Sequence, residues 1–357
     1  MGFVEALFTN GETIVQNIRY NPQNKVSEVV HYIIDDKTLN RGEIIKRTKI
    51  LDSKIGDYSI AGNLAISSFN NQFYYGLVAL NKPSVNGSEY TIFSNINNLS
   101  PLSQPIKRTE DSIELKRIVT VNDGYLLIGT KMVNGSKDVL IIKYRNNSVF
   151  KEWERTIGTP GDDVGIDAIQ LCDNNYGILA YTDGKGAGDR DVWFLKIGAN
   201  GTLQSDETYG GVGYEEPQRI ISEFGCKLYI IGHSASFGAP EHDGYVIKIN
   251  ENGTKEWEKT FGTPYHDGFN AATHIPDTKT FIAAGRSMQG VGQPEDVFVV
   301  CFDEGGNELW RKKYGDPNLT ELPQEIIADN EFYYITSNRT DANNNFTSVF
   351  IKDRFGN

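Results

Sequence analysis

The segment Asp138-Val-Leu-Ile-Ile-Lys143 recurs along this chain. It returns as Asp191-Val-Trp-Phe-Leu-Lys196, Asp243-Gly-Tyr-Val-Ile-Lys248 and Asp296-Val-Phe-Val-Val-Cys301, at steps of 53, 52 and 53 residues. A fixed period of this length leaves few folds open, because each copy must be one supersecondary unit that buries its apolar face against the next. Fainter copies extend the series to seven: Thr347-Ser-Val-Phe-Ile-Lys352, Tyr90-Thr-Ile-Phe-Ser94 and Val29-Val-His-Tyr-Ile-Ile-Asp35.

Each copy has companions at constant offsets. An apolar run precedes it, as in Leu228-Tyr-Ile-Ile-Gly232. A Gly/Asn turn follows, then a segment ending in Thr-aromatic-Gly, such as Trp257-Glu-Lys-Thr-Phe-Gly262. A short stretch such as Asp167-Ala-Ile-Gln-Leu171 completes the unit. These runs are rich in Val, Ile, Tyr and Phe and are separated by turn formers, so they read as strands. Four strands per unit, repeated seven times, predict an all-β fold: a seven-bladed β-propeller of four-stranded antiparallel blades in one domain spanning 1–357. The reading places the fourth strands near 29–35, 90–94, 138–143, 191–196, 243–248, 296–301 and 347–352. It also has one blade closed by both termini. The apolar runs are nearly continuous, as expected of strands covered on both faces. Trp153, Trp257 and Trp310 are expected to fill the space between blades.

Charge narrows the function classes. The net charge is −12, split into +3 over residues 1–150 and −15 over 151–357. A general nucleic-acid binder needs a basic face to displace counterions and is excluded. No run approaches the length of a membrane-spanning helix, and the first residues show no signal-peptide pattern. Cys172, Cys226 and Cys301 form no metal or redox motif and are expected to be free thiols.

The copies from 138 to 315 resemble a broad family of bacterial and archaeal propeller repeats. That pattern runs Trp-x-Lys-x-Tyr/Phe-Gly-Gly, an Asp, Asp-Gly-Gly-Tyr, then Asp-x-Trp-x-x-Lys-x-Asp-x-x-Gly. The resemblance implies an exported or cell-surface binding domain, in a family mostly without assigned activity. The turn followed by Trp is also similar to repeats of quinone-cofactor dehydrogenases and to the Asp-boxes of sialidases. The sialidase Ser-x-Asp-x-Gly-x-Thr-Trp is not met in any copy. These likenesses bear on fold and not on chemistry.

Candidate site residues fall into three groups. An acidic residue follows each Thr-aromatic-Gly segment: Asp163, Glu216, Asp267 and Glu321, with Asp57 and Asp111 at looser equivalents. Together they could ring a channel mouth and attract Ca2+ or an amine. The alternative is that each acid binds backbone N–H groups of its own loop. His233, His242 and His266 lie close in sequence and are metal-ligand candidates. Arg190, Phe237 and Arg286 stand on or beside long Gly-rich loops, where binding residues concentrate on rigid scaffolds. No catalytic motif appears. The reading is therefore a non-catalytic scaffold for a protein or glycan, with no resident cofactor. The alternatives are a glycan-active hydrolase or lyase, a quinone-type dehydrogenase, or a structural subunit of an extracellular assembly.

Overall fold

The computed structural model describes residues 112–145, 150–223, 226–238, 241–275, 277–341, 347 and 349–355 in full, and elsewhere the backbone of the strands given below. Among the strands described, consecutive ones pair into seven sheets. Sheet 1 comprises Glu5–Thr9, Glu12–Asn21, Val26–Asp35 and Ile44–Lys49. Sheet 2 comprises Leu64–Phe69, Gln72–Ser84, Gly87–Phe93 and Ile106–Glu110. Sheet 3 comprises Ile113–Val121, Gly124–Val133, Ser136–Arg145 and Lys151–Ile157. Sheet 4 comprises Asp163–Gln170, Tyr176–Thr182, Asp191–Ile197 and Leu203–Tyr209. Sheet 5 comprises Glu215–Ser222, Lys227–Ser234, Asp243–Asn250 and Lys255–Phe261. Sheet 6 comprises Asp267–His274, Thr280–Met288, Glu295–Asp303 and Glu308–Tyr314. Sheet 7 has three strands, Thr320–Ala328, Phe332–Thr340 and Phe346–Arg354.

Two expectations are corrected. The recurrent Asp-to-Lys segment is the third strand of its sheet and not the fourth. The Trp-bearing segment pairs back onto it through the Gly/Asn turn, Lys143 opposite Trp153 and Cys301 opposite Trp310. The two ends of the chain also share no sheet: sheet 1 is wholly N-terminal and sheet 7 wholly C-terminal. Instead, the first strand of sheet 1 lies beside the first strand of sheet 7.

By contacts the chain divides into two compact units. One holds Met1–Lys54, Ile221–Lys248 and Lys255–Asn357; the other holds Ile55–Ile220 and Ile249–Thr254. The same packing rule operates within each. Side chains alternate across a strand, so neighbours in sequence enter different cores. In sheet 3, Leu127 and Leu140 join one cluster, while Ile128 and Val139 join another with Trp193 and Leu195 of sheet 4. In sheet 6, Phe281, Phe298 and Phe302 face Tyr229 and Phe261, whereas Ile282, Val297 and Val299 face Ile326, Tyr333 and Ile335. This double coverage explains why the sequence runs are continuously apolar.

The tryptophans pack between sheets as expected. The Trp153 indole N–H donates to Ala199 O at 3.0 Å, and that of Trp257 to Glu304 O at 3.2 Å. Trp310 stacks on Tyr333, with ring centroids 5.7 Å apart. Gly201, at φ 83°, needs glycine twice over: its turn is left-handed, and a Cβ there would lie 2.9 Å from the Trp153 ring. The cysteine expectation holds only for Cys301, which is free and buried, its thiol pushed up to about 12 by burial. Cys172 and Cys226 are not free thiols. Among the described residues no helix is long and apolar enough to cross a membrane.

Candidate functional site

The recurrent acids open the first strands of their sheets. Asp163 is fully buried, and its Oδ2 accepts the Thr159 N–H at 2.5 Å and the Thr159 hydroxyl at 2.9 Å. Asp267 repeats this with Thr263, at 2.5 and 2.7 Å. In the intervening copy the buried acid is Glu215, which accepts the Gly211 N–H at 2.9 Å. The expected residue, Glu216, is its half-buried neighbour. That candidate therefore moves by one position, because the donor must stand four residues before the acid. Glu321 is buried and accepts from Arg339 Nε at 2.9 Å. Asp57 and Asp111 lie outside the described residues.

A second acid faces each of these. Asp191 Oδ2 accepts the N–H groups of Ala187 and Gly188 at 2.8 and 3.1 Å. A Cβ placed on Gly210 would lie 2.0 Å from Asp191 Oδ1 and 2.2 Å from Glu215 Oε2. On Gly262 it would lie 1.9 Å from Asp243 Oδ1 and 3.0 Å from Asp267 Oδ2. The glycine of the Thr-aromatic-Gly segment is thus gripped between two carboxylates. Gly158 and Gly315 stand equally close to Asp138 and Asp296. The donors to Oδ2 of Asp163, Asp191 and Asp267 are N–H and hydroxyl groups of their own loops, which satisfy that oxygen without a cation.

Burial raises the pKa of Asp138, Asp163, Asp191 and Glu321 above their ordinary values, and a facing acid adds to it for Asp138, Asp191 and Glu321. A raised folded pKa favours the protonated form in the fold. Its contribution is fully present below the unfolded value, 3.8 for Asp191, and is lost as pH rises through the folded value. Asp191→Asn keeps an acceptor for the loop amides and removes the charge. Its unfolding midpoint relative to the parent chain should therefore improve as pH rises from about 4 to about 8. A difference that stays flat with pH would refute the assignment.

The loop residues fold back more than the sequence suggests. Arg190 is half-buried, its guanidinium 3.9 Å from the Tyr181 ring centroid and 2.9 Å from Asp183. Phe237 is half-buried on Tyr245, with centroids 5.7 Å apart. Arg286 is half-buried and approaches Glu295 at 3.6 Å. The three histidines do come together. The His242 ring lies 5.9 Å from that of His233 and 4.9 Å from that of His266, both edge to face.

Sequence reasoning missed one constellation. Lys143 is fully buried at the end of its repeat and meets Asp123 at 2.8 Å and Glu152 at 3.5 Å. Lys196 meets Asp173 at 2.7 Å and Asn252 at 2.8 Å, and Lys248 meets Glu223 at 3.7 Å. The recurrence of Lys at this position was the available signal. Cys301 takes the same place in sheet 6.

No protein-family model matches the chain, and no curated protein sequence matches it. Solved structures do. The β-propeller domain of the Trilobed protease from Pyrococcus furiosus, described as having an open velcro topology, aligns over 100% of this chain and 96% of its own at TM-score 0.53 and 10% identity. The fold is a β-propeller. An acylaminoacyl peptidase from Pyrococcus horikoshii aligns over 100% of this chain and 52% of its own, at TM-score 0.55 and 9% identity. A prolyl endopeptidase aligns over 97% and 46%, at TM-score 0.53 and 12% identity. At these identities the likeness concerns the propeller and not its chemistry.

Proposed function

We propose that the chain is a seven-bladed propeller acting as a non-catalytic scaffold that takes a protein ligand on glycine-flanked loop tips. One observation carries the reading. Two loops present a valine between glycines at their tips, Gly211-Val212-Gly213 and Gly290-Val291-Gly292, and these valines are 85% and 83% exposed. Exposed apolar side chains on such tips fit a protein surface better than a glycan, which takes hydrogen-bonding partners. One carboxylate oxygen of each of Asp163, Asp191, Glu215 and Asp267 is engaged with its own loop. Propeller domains of peptidases among the similar structures are consistent with a binding role.

A displayed peptide library and a glycan array test this. Selected peptides should bind, and those that take the first tip should be weakened about tenfold or more by Val212→Asp, those that take the second by Val291→Asp. Leu309→Asp, on an exposed fourth strand, should leave binding unchanged. Binding to glycans alone, or to neither, overturns the reading.

A further inference from the structure

The histidine cluster plays no part in the protein-binding reading. His233 lies near the close of the second strand of sheet 5 and is 5% exposed. His242 immediately precedes the third strand, and His266 immediately precedes the first strand of sheet 6. Backbone bonds fix these segments to one another. The Asp267 N–H donates to His242 O at 2.7 Å, and the Met288 N–H to His266 O at 2.9 Å. Three imidazoles from three chain segments are therefore carried on a rigid frame, as a ligand site requires.

The surroundings suit metal ligation. Glu295 Oε1 lies 3.3 Å from Nδ1 of His266. A carboxylate there holds the proton on Nδ1 and leaves Nε2 as a lone pair, the usual outer partner of a ligating histidine. Arg286 balances the charge of Glu295 from 3.6 Å. Gly268 leaves space beside His233, since a Cβ there would lie 3.3 Å from Nδ1. The His242 ring centroid stands 5.9 Å from that of His233 and 4.9 Å from that of His266, edge to face in both cases, so ligation requires the rings to turn about their side-chain torsions.

We propose that His233, His242 and His266 form a three-imidazole site for a borderline divalent transition metal of the Zn2+, Co2+ or Ni2+ class, with Glu295 as the positioning residue. Neutral imidazoles favour these ions over Ca2+ and Mg2+, which take oxygen ligands. Three protein ligands leave a fourth position open to water or to a ligand side chain.

The test uses the full chain after treatment with a chelator, titrated with Co2+ followed by visible absorption and with Zn2+ in competition. One equivalent should bind with ligand-field bands of a nitrogen site, and excess Ca2+ should not compete. His242→Ala and His266→Gln should each weaken binding at least tenfold, and Glu295→Gln about tenfold. His274→Ala, whose Nε2 bonds Thr278 O, should change nothing. A stabilising shift of the unfolding midpoint by Zn2+, lost in His266→Gln, provides a second reading if His242→Ala does not fold. No stoichiometric uptake, or uptake unaffected by the histidine variants, overturns the site. Neither result depends on whether a peptide is bound, so the site and the scaffold reading stand or fall apart.

Discussion

Replacing Gly285 by alanine is expected to cost about 3 kcal/mol or more, enough to deplete soluble protein. Gly285 lies in the second strand of sheet 6, opposite a bulge between Phe269 and Ala271 of the first strand. The bulge drives backbone toward it. An added Cβ would lie 1.7 Å from Gly268 O and 2.7 Å from Phe269 Cα. Both are main-chain atoms and cannot swing aside as a side-chain end could. Sheet 3 repeats the arrangement, with Gly129 beside a bulge and its Cβ position 2.1 Å from Glu114 O. Gly292→Ala is the control. Its φ of 72° strains alanine, but nothing lies within 4 Å, so about 1 kcal/mol is expected. Thermal unfolding of the two variants beside the parent chain decides the matter: similar losses for G285A and G292A would mean that the bulge relaxes freely.

Lys143→Ala should be the most damaging change at a charged position, at about 3–5 kcal/mol. The ammonium is fully buried between Asp123 and Glu152, and removing it leaves their charges facing one another across a void. Lys143→Met fills the stem but leaves the same two carboxylates without their cation, so it should recover only the packing share of that loss, about 1–2 kcal/mol. The contrast identifies the mechanism. A methionine variant as stable as the parent chain would show that the carboxylates simply turn to solvent, which Asp123, 58% exposed, is the better placed to do. Cys301, in the corresponding place in sheet 6, already shows an uncharged side chain buried there.

The architecture was legible because it is repetitive. A period near 52 residues, with apolar runs at fixed offsets, identifies strands without any long-range information. The phase within the period was not legible. Which strand begins a sheet depends on pairing, and the Trp-bearing segment belongs with the strand before it. The one-residue slip from Glu215 to Glu216 has a local cause. Two adjacent acids satisfy the pattern, and only the four-residue spacing from Gly211, matching Thr159 to Asp163 and Thr263 to Asp267, separates them. The grouping of His233, His242 and His266 followed the sequence. The burial of Phe237 on Tyr245 did not, because a loop carries no periodicity to report its course.

The alternation of side chains between two cores also bears on how such a chain can change over evolutionary time. Along the third strand of sheet 6, Phe298 and Phe302 answer to one neighbouring sheet, and Val297 and Val299 to the other. Odd and even positions therefore drift under separate constraints, each tied to a different partner repeat. A duplicated copy inserted between two others would inherit one matched boundary and one mismatched boundary. Divergence should then spread along the chain as paired adjustments between adjacent copies, leaving similarity highest where both boundaries have been kept.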